Sequence, residues 1–176
     1  AVSYFDRDFN YFNNKIFINI AYTDNILNSS EAFKEYFSRP MELVIDLLKP
    51  EYSYKYTLMA PSNYRNGNYY GQTEHFRCIN NESEVIYSFP ANDSLFIYFN
   101  SELEDIAYAG SKYESQTPKY NLDKLKNHAY LREYIRTNPF YQKIVYDPFR
   151  KFYYRAFKKK CSYLNESGNI RRNSEI

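Results

Sequence analysis

The chain is poor in the residues that most enzyme signatures need: in 176 residues it has no tryptophan, four glycines, two cysteines and two histidines. Each scarcity excludes something. So few glycines can scarcely build a backbone cradle for phosphate, and neither GxxxxGK[ST] nor GxGxxG occurs. Cys78 and Cys161 lie far apart and form no CxxC pair or Cys/His cluster, so metal binding is not expected and both read as small buried apolar residues. His75 and His128 belong to no HExxH pattern, and the absence of GxSxG removes the hydrolase elbow. No apolar run approaches the length of a membrane span. No signal-peptide pattern is present, and an opening on Ala1 rather than Met leads us to expect a processed or cut start. A net charge of +2 is too small to argue for nucleic acid or an anionic membrane as partner.

What is abundant is the aromatic ring. There are 22 tyrosines and 14 phenylalanines, a density that favours strands, where rings cover their neighbours on a pleated surface. Alternating segments recur. KIFINIAY (15–22) puts Ile16, Ile18 and Ile20 on one face, and MELVIDLL (41–48) and YSYKYTLM (52–59) follow across a Lys49-Pro50 turn. HFRCI, EVIYSF, SLFIYF and DIAYAG, joined by short polar links, predict a four-stranded antiparallel meander between His75 and Gly110. Three hairpins align by their turns, at 9–20, 85–99 and 143–157, and a repeated hairpin with variable insertions is the mark of sheets stacked radially or in series. The tyrosines would then cover both faces of a sheet held between two others. One continuous antiparallel sheet with a helix on one face is the competing reading.

Two segments read as helices. SEAFKEYF (30–37) has Ser30 as its expected N-cap, and 121–139 carries Leu122, Leu125, Ala129 and Ile135 at helical spacing before Asn138-Pro139. The loop at 60–72 is rich in Asn, Gly and Tyr, without periodicity. Glu102, Glu104 and Asp105 read as a solvated acidic turn, and Asp147 before Pro148 as a turn cap with Arg150 beside it.

The pieces HFRCINNESEVIYSFPANDSLFIYF and NPFYQKIVYDPFRKFYYRAF resemble a bacterial family of six-bladed β-propeller proteins of unknown function, typically predicted lipoproteins of the cell envelope. The likeness rests on H-x-R before a strand, on VIYSFP with a short turn, and on Y-D-P-aromatic-R…YYR. It implies an all-β fold, a partial propeller of about three blades with one or two helical insertions. It also implies a cell-envelope location in a bacterium, with membrane contact only through a lipid anchor outside this chain. At roughly 40–50 residues per blade, the chain would hold about half of such a ring. The expected division is a partial propeller at 1–157 and a polar basic tail at 158–176.

The expected ligand-binding residues fall in two groups. His75 and Arg77, two apart on a strand, point to one face that could line a channel and take an anionic group, or could form a structural network between blades. Tyr87 and Arg155 join them. Tyr64, Tyr69 and Tyr70, interleaved with amides in the surface loop, suit a sugar ring or a peptide. No catalytic residue, metal or cofactor is assigned. The expectation is a non-catalytic protein that binds a glycan or peptide, or a protein partner at exposed blade edges. The alternatives are an enzyme using His75, Arg77 and Arg155 in a propeller channel, and a truncated product without activity of its own.

Overall fold

The computed structural model describes residues 3–22, 27–49, 51, 53–112, 116–164 and 169, with the side chains of the first strand from Phe9 onward. Most of the tail expected at 158–176 therefore lies outside the described residues. Strands β1 (Ser3–Phe12), β2 (Lys15–Tyr22), β3 (Pro40–Asp46) and β4 (Ser53–Met59) form one antiparallel meander. Strands β5 (Phe76–Ile79), β6 (Val85–Ser88), β7 (Ser94–Phe99) and β8 (Glu102–Tyr108) form a second. A separate hairpin follows, β9 (Phe140–Asp147) with β10 (Phe152–Lys158). The fold is all-β, built from antiparallel meanders, with α1 (Ser30–Phe37), α2 (Ser62–Arg65) and α3 (His128–Thr137) inserted between them.

The three sheets are separate and packed in series, not joined into one continuous sheet. Phe17 and Val44 of the first meander pack with Val85 and Tyr87 of β6. From the other face of β6, Ile86 packs with Leu95, Ile144 and the partly buried Tyr153 of the hairpin. β6 is consequently buried along its whole length, because alternate residues face different neighbours.

The helices are fastened to this stack by aromatic rings. Phe33 stacks on Tyr69 at 4.4 Å, Tyr69 meets Tyr120 at 5.4 Å, and Tyr120 meets Tyr134 at 5.0 Å. Several tyrosines also spend their hydroxyls. Tyr22 donates to the Pro40 carbonyl at 2.7 Å, Tyr120 donates to that of Lys124 at 2.9 Å, and the Tyr64 hydroxyl accepts from the Ala91 amide at 2.9 Å. A phenylalanine would fill the same volume and lose these bonds to the backbone.

Four sequence expectations are corrected. The N-cap of α1 is Ser29, whose Oγ accepts from the Ala32 amide, while the Ser30 hydroxyl donates to the Gly67 carbonyl. The single helix expected over 121–139 is two pieces, a 3-10 turn (Leu122–Lys124) and α3, because Asn127 caps a new helix instead of continuing the old one. The 60–72 segment is folded, with α2 inside it and Gly67 at a φ of +80°. A Cβ at Gly67 would fall 2.6 Å from the Ser30 carbonyl oxygen, so only glycine fits. Glu102, Glu104 and Asp105 lie on strand β8 and not in a turn. The turn at Asp147 is as expected. Its carboxylate accepts from the Phe149 and Arg150 amides and pairs with the Arg150 guanidinium at 3.1 Å, which together hold it below the usual range.

Burial makes a prediction about alkaline pH. It pushes the Tyr69 and Tyr141 hydroxyls up to about 12, and those of Tyr64 and Tyr134 further. A raised folded-state value means the stabilisation is complete below the unfolded value near 10 and is lost as pH rises through the folded one. Tyrosinate absorbance should therefore show a first, gradual phase near pH 10 from exposed rings. A second, cooperative phase near pH 12 should coincide with loss of the far-ultraviolet β signal. Titration of all rings in one phase near 10, with structure retained, would contradict this packing.

Candidate functional site

The first strands of all three sheets converge on a cleft of about 360 Å³ lined by Phe9 and Asn10 of β1, Asn19 of β2, His75 and Arg77, and Lys143 of β9. Beneath it lies Glu42 of β3, with a side chain that is completely buried. One oxygen, Oε2, is 3.2 Å from His75 Nε2 and 3.1 Å from Arg77 Nη1. The Tyr87 hydroxyl lies against the same carboxylate, and burial followed by that negative charge holds it well above its ordinary pKa. The structure thus brings His75, Arg77 and Tyr87 together, as the sequence suggested for the first pair. The residue that joins them, Glu42, was missed. Its only signal was an acid set between the apolar Met41 and Leu43 in mid-strand.

The guanidinium of Arg77 is already spent. Nε donates to Asn10 Oδ1 at 2.8 Å, Nη2 to the Phe17 carbonyl at 2.8 Å, and Nη1 to Asn19 Oδ1 as well as to Glu42. Asn19 Nδ2 returns a bond to the His75 carbonyl at 3.5 Å. These acceptors are all in the first meander, and Arg77 itself is in the second. It is a clamp across their interface, with its fork of donors turned inward.

Arg155 does the same at the other interface. Its Nε donates to Ser88 Oγ at 2.8 Å, its Nη2 to the carbonyls of Phe89 at 3.1 Å and Asn92 at 2.6 Å, and its guanidinium carbon sits 3.4 Å from the Tyr141 ring centre. Tyr64 and Tyr70 are not surface residues, which corrects the loop reading. Tyr64 is fully buried against Phe37, Tyr70 and Phe89, and Tyr69 is stacked on Phe33.

A second cavity, of about 260 Å³, opens between the β6–β7 turn and the start of the hairpin. Asn63, Asn92, Asp93, Thr117, Tyr70 and Tyr141 contribute to its lining. The Tyr141 hydroxyl donates to Asp93 Oδ1 at 2.7 Å and accepts from the Ser111 amide at 2.7 Å. Asn92 Nδ2 donates to Asn63 Oδ1 at 2.9 Å, and Asn63 Nδ2 to the Ala91 carbonyl at 2.9 Å. This fixes the orientation of both amides and one carboxylate around an aromatic wall. Sequence reasoning noted the amides of the 60–72 loop but not Asp93 or Tyr141, which only the approach of the hairpin brings to the same place. Among the described residues no cluster of His, Cys, Asp and Glu is arranged to hold a metal ion, and no helix is long and apolar enough to cross a membrane.

No family model matches the chain, and no curated protein matches it. In fold it is similar to the crystal structure of a member of the DUF4221 family from Bacteroides vulgatus, with a TM-score of 0.60 and 20% sequence identity. The match covers 93% of this chain and 45% of that one, so the chain spans less than half the length of its structural neighbour.

The clamp is testable by stability. Replacing Arg77 by Ala strands the buried Glu42 carboxylate and should cost about 3–5 kcal/mol, lowering the melting temperature by roughly 10 °C. Arg77→Met combined with Glu42→Gln should recover much of that loss. A melting temperature unchanged by Arg77→Ala would show that the interface does not depend on this pair.

Proposed function

We propose that the chain is part of a β-propeller whose role is non-catalytic binding of a small neutral polar ligand, a sugar unit or a short peptide segment, in the Asp93–Tyr141 cavity. The observation that carries this reading is the set of polar groups already fixed in place: an aspartate, two mutually bonded amides and a tyrosine hydroxyl around a space suited to one such unit. A carboxylate accepts from adjacent hydroxyls or amides, and the ring faces cover the C–H side of a sugar. The stacked meanders support the propeller part of the proposal, and the fold likeness to a bacterial protein fits a bacterial origin.

The channel cleft serves this reading less well. Arg77 donates inward, and Glu42 and His75 are almost wholly covered, so a substrate has little access to them. The same facts weigh against the enzyme alternative that drew on His75, Arg77 and Arg155.

The experiment is an amide-shift titration with neutral mono- and disaccharides and short neutral peptides. Shifts should centre on Asn92, Asp93 and Tyr141. Asp93→Asn should weaken binding about tenfold, the worth of one charge-assisted bond, while leaving the melting temperature nearly unchanged. Shifts confined to Asn10, Asn19 and Lys143, or none across the panel at millimolar ligand, would refute the assignment.

A further inference from the structure

Four aromatic residues line the Asp93–Tyr141 cavity, and they are not equivalent. Tyr70 and Tyr141 are each 5% exposed, since Tyr70 packs on Tyr64 and the Arg155 guanidinium sits over the Tyr141 ring. Phe157 is half-buried and leans on Tyr141 at 4.9 Å. Tyr108, the last residue of β8, is 79% exposed. A lone exposed ring is ordinary. This one is seated.

The seat is the segment that follows it. The Ala109 amide donates to the Asp93 carbonyl at 2.8 Å, and the Ser111 amide donates to the Tyr141 hydroxyl at 2.7 Å. Gly110 is thus held from both sides, and the tip of the Tyr108 ring lies against it. A Cβ at Gly110 would fall 2.5 Å from Tyr108 Cζ and 3.0 Å from Cε2. Gly67 and Gly71 have a positive φ and Gly110 does not, so backbone conformation does not call for glycine here. The ring does. Tyr108 also pairs with Ser94 across the sheet, which puts both side chains on one face, and Ser94 lines the same cavity.

Given the binding role proposed for this cavity, on which this rests, we infer that its ligand is a pyranose and that Tyr108 selects it. The sugar's C–H face stacks on the open ring, and hydroxyls at its edge donate to Asp93. The Asp93 Oδ1 atom already takes the Tyr141 hydroxyl, which leaves Oδ2 for the ligand. A pyranose carries an apolar face and a rim of hydroxyls in one rigid unit. A peptide backbone offers amides to Asp93 without a flat C–H face, and an open-chain polyol has the hydroxyls without the face. The seat sets the ring in advance, so little freedom is lost when the sugar arrives. Tyr108, Asp93 and Tyr141 are tied to one another by bonds within the described residues.

An amide-shift titration of the 176-residue chain with methyl hexopyranosides, sorbitol and a short neutral peptide tests this. A pyranoside should shift Asp93, Tyr108 and Gly110, and sorbitol should bind about tenfold more weakly. Tyr108→Ala should weaken pyranoside binding about tenfold, and Tyr108→Phe should keep it within about twofold, because the ring face makes the contact. Gly110→Ala should weaken it as Tyr108→Ala does, with an unchanged melting temperature, since the exposed ring swings aside while the backbone stays. Pyranoside binding weakened by Asp93→Asn but indifferent to Tyr108→Ala and Gly110→Ala would overturn the platform and leave the cavity reading standing. Shifts at Asn92 and Asp93 from the peptide, with none from any pyranoside, would do the same. Binding of neither would remove both.

Discussion

The buried Glu42–Arg77 ion pair is the constraint on which the arrangement of sheets depends. A carboxylate with no exposed surface is costly unless its charge is met inside the protein, and here a guanidinium from the next sheet meets it. The pair forms only when β5 lies across β2 and β3 at one depth and one register. Apolar packing alone would tolerate a slide of one sheet over the other, since isoleucine and phenylalanine find partners in many positions. A fork of donors aimed at Asn10, Asn19, the Phe17 carbonyl and Glu42 does not. Arg155 repeats the device at the next interface with carbonyl and hydroxyl acceptors in place of an acid. Its burial lowers its pKa, and the Tyr141 ring beneath it helps keep the charge acceptable there.

Tyrosine does the remaining fastening. Glycine is scarce, so the connections between sheets cannot simply be tight glycine turns, and long links have to be held down against the body of the fold. Rings at 64, 69, 120 and 134 join with Phe33 and Phe37 of α1 into one aromatic chain, and the hydroxyls of Tyr64, Tyr120 and Tyr134 reach backbone groups in the connecting segments. The 60–72 segment looks like a mobile surface loop by composition and is core by position. The candidate ligand cavity is a by-product of this economy, since the amides that hold the β6–β7 turn to the α2 segment also line it.

Much of the fold was legible in the sequence. Alternation and turn chemistry placed the second meander and the hairpin, because Asn, Asp and Pro at the turns leave few alternatives. The side that each strand buries was not legible for β2. Its Ile16, Ile18 and Ile20 face is the more apolar, yet the face toward the second meander carries Phe17 and Asn19, because Asn19 serves the Arg77 clamp. Hydrophobic pattern ranks faces by composition and has no access to a partner strand dozens of residues away. The same limit hid Glu42 and Asp93, whose roles exist only where separate sheets meet. His75 and Arg77 were found because they are neighbours in sequence.

Cys78 carries a consequence of its own. Its thiol packs at the junction of the second meander and the hairpin, and burial pushes it up to about 12. The sulfur is therefore nearly silent toward electrophiles while that junction is shut, and turns nucleophilic once solvent reaches it. Nature has in effect left a chemical tripwire in the seam, so that labelling kinetics at one atom can time the parting of the hairpin from its neighbour.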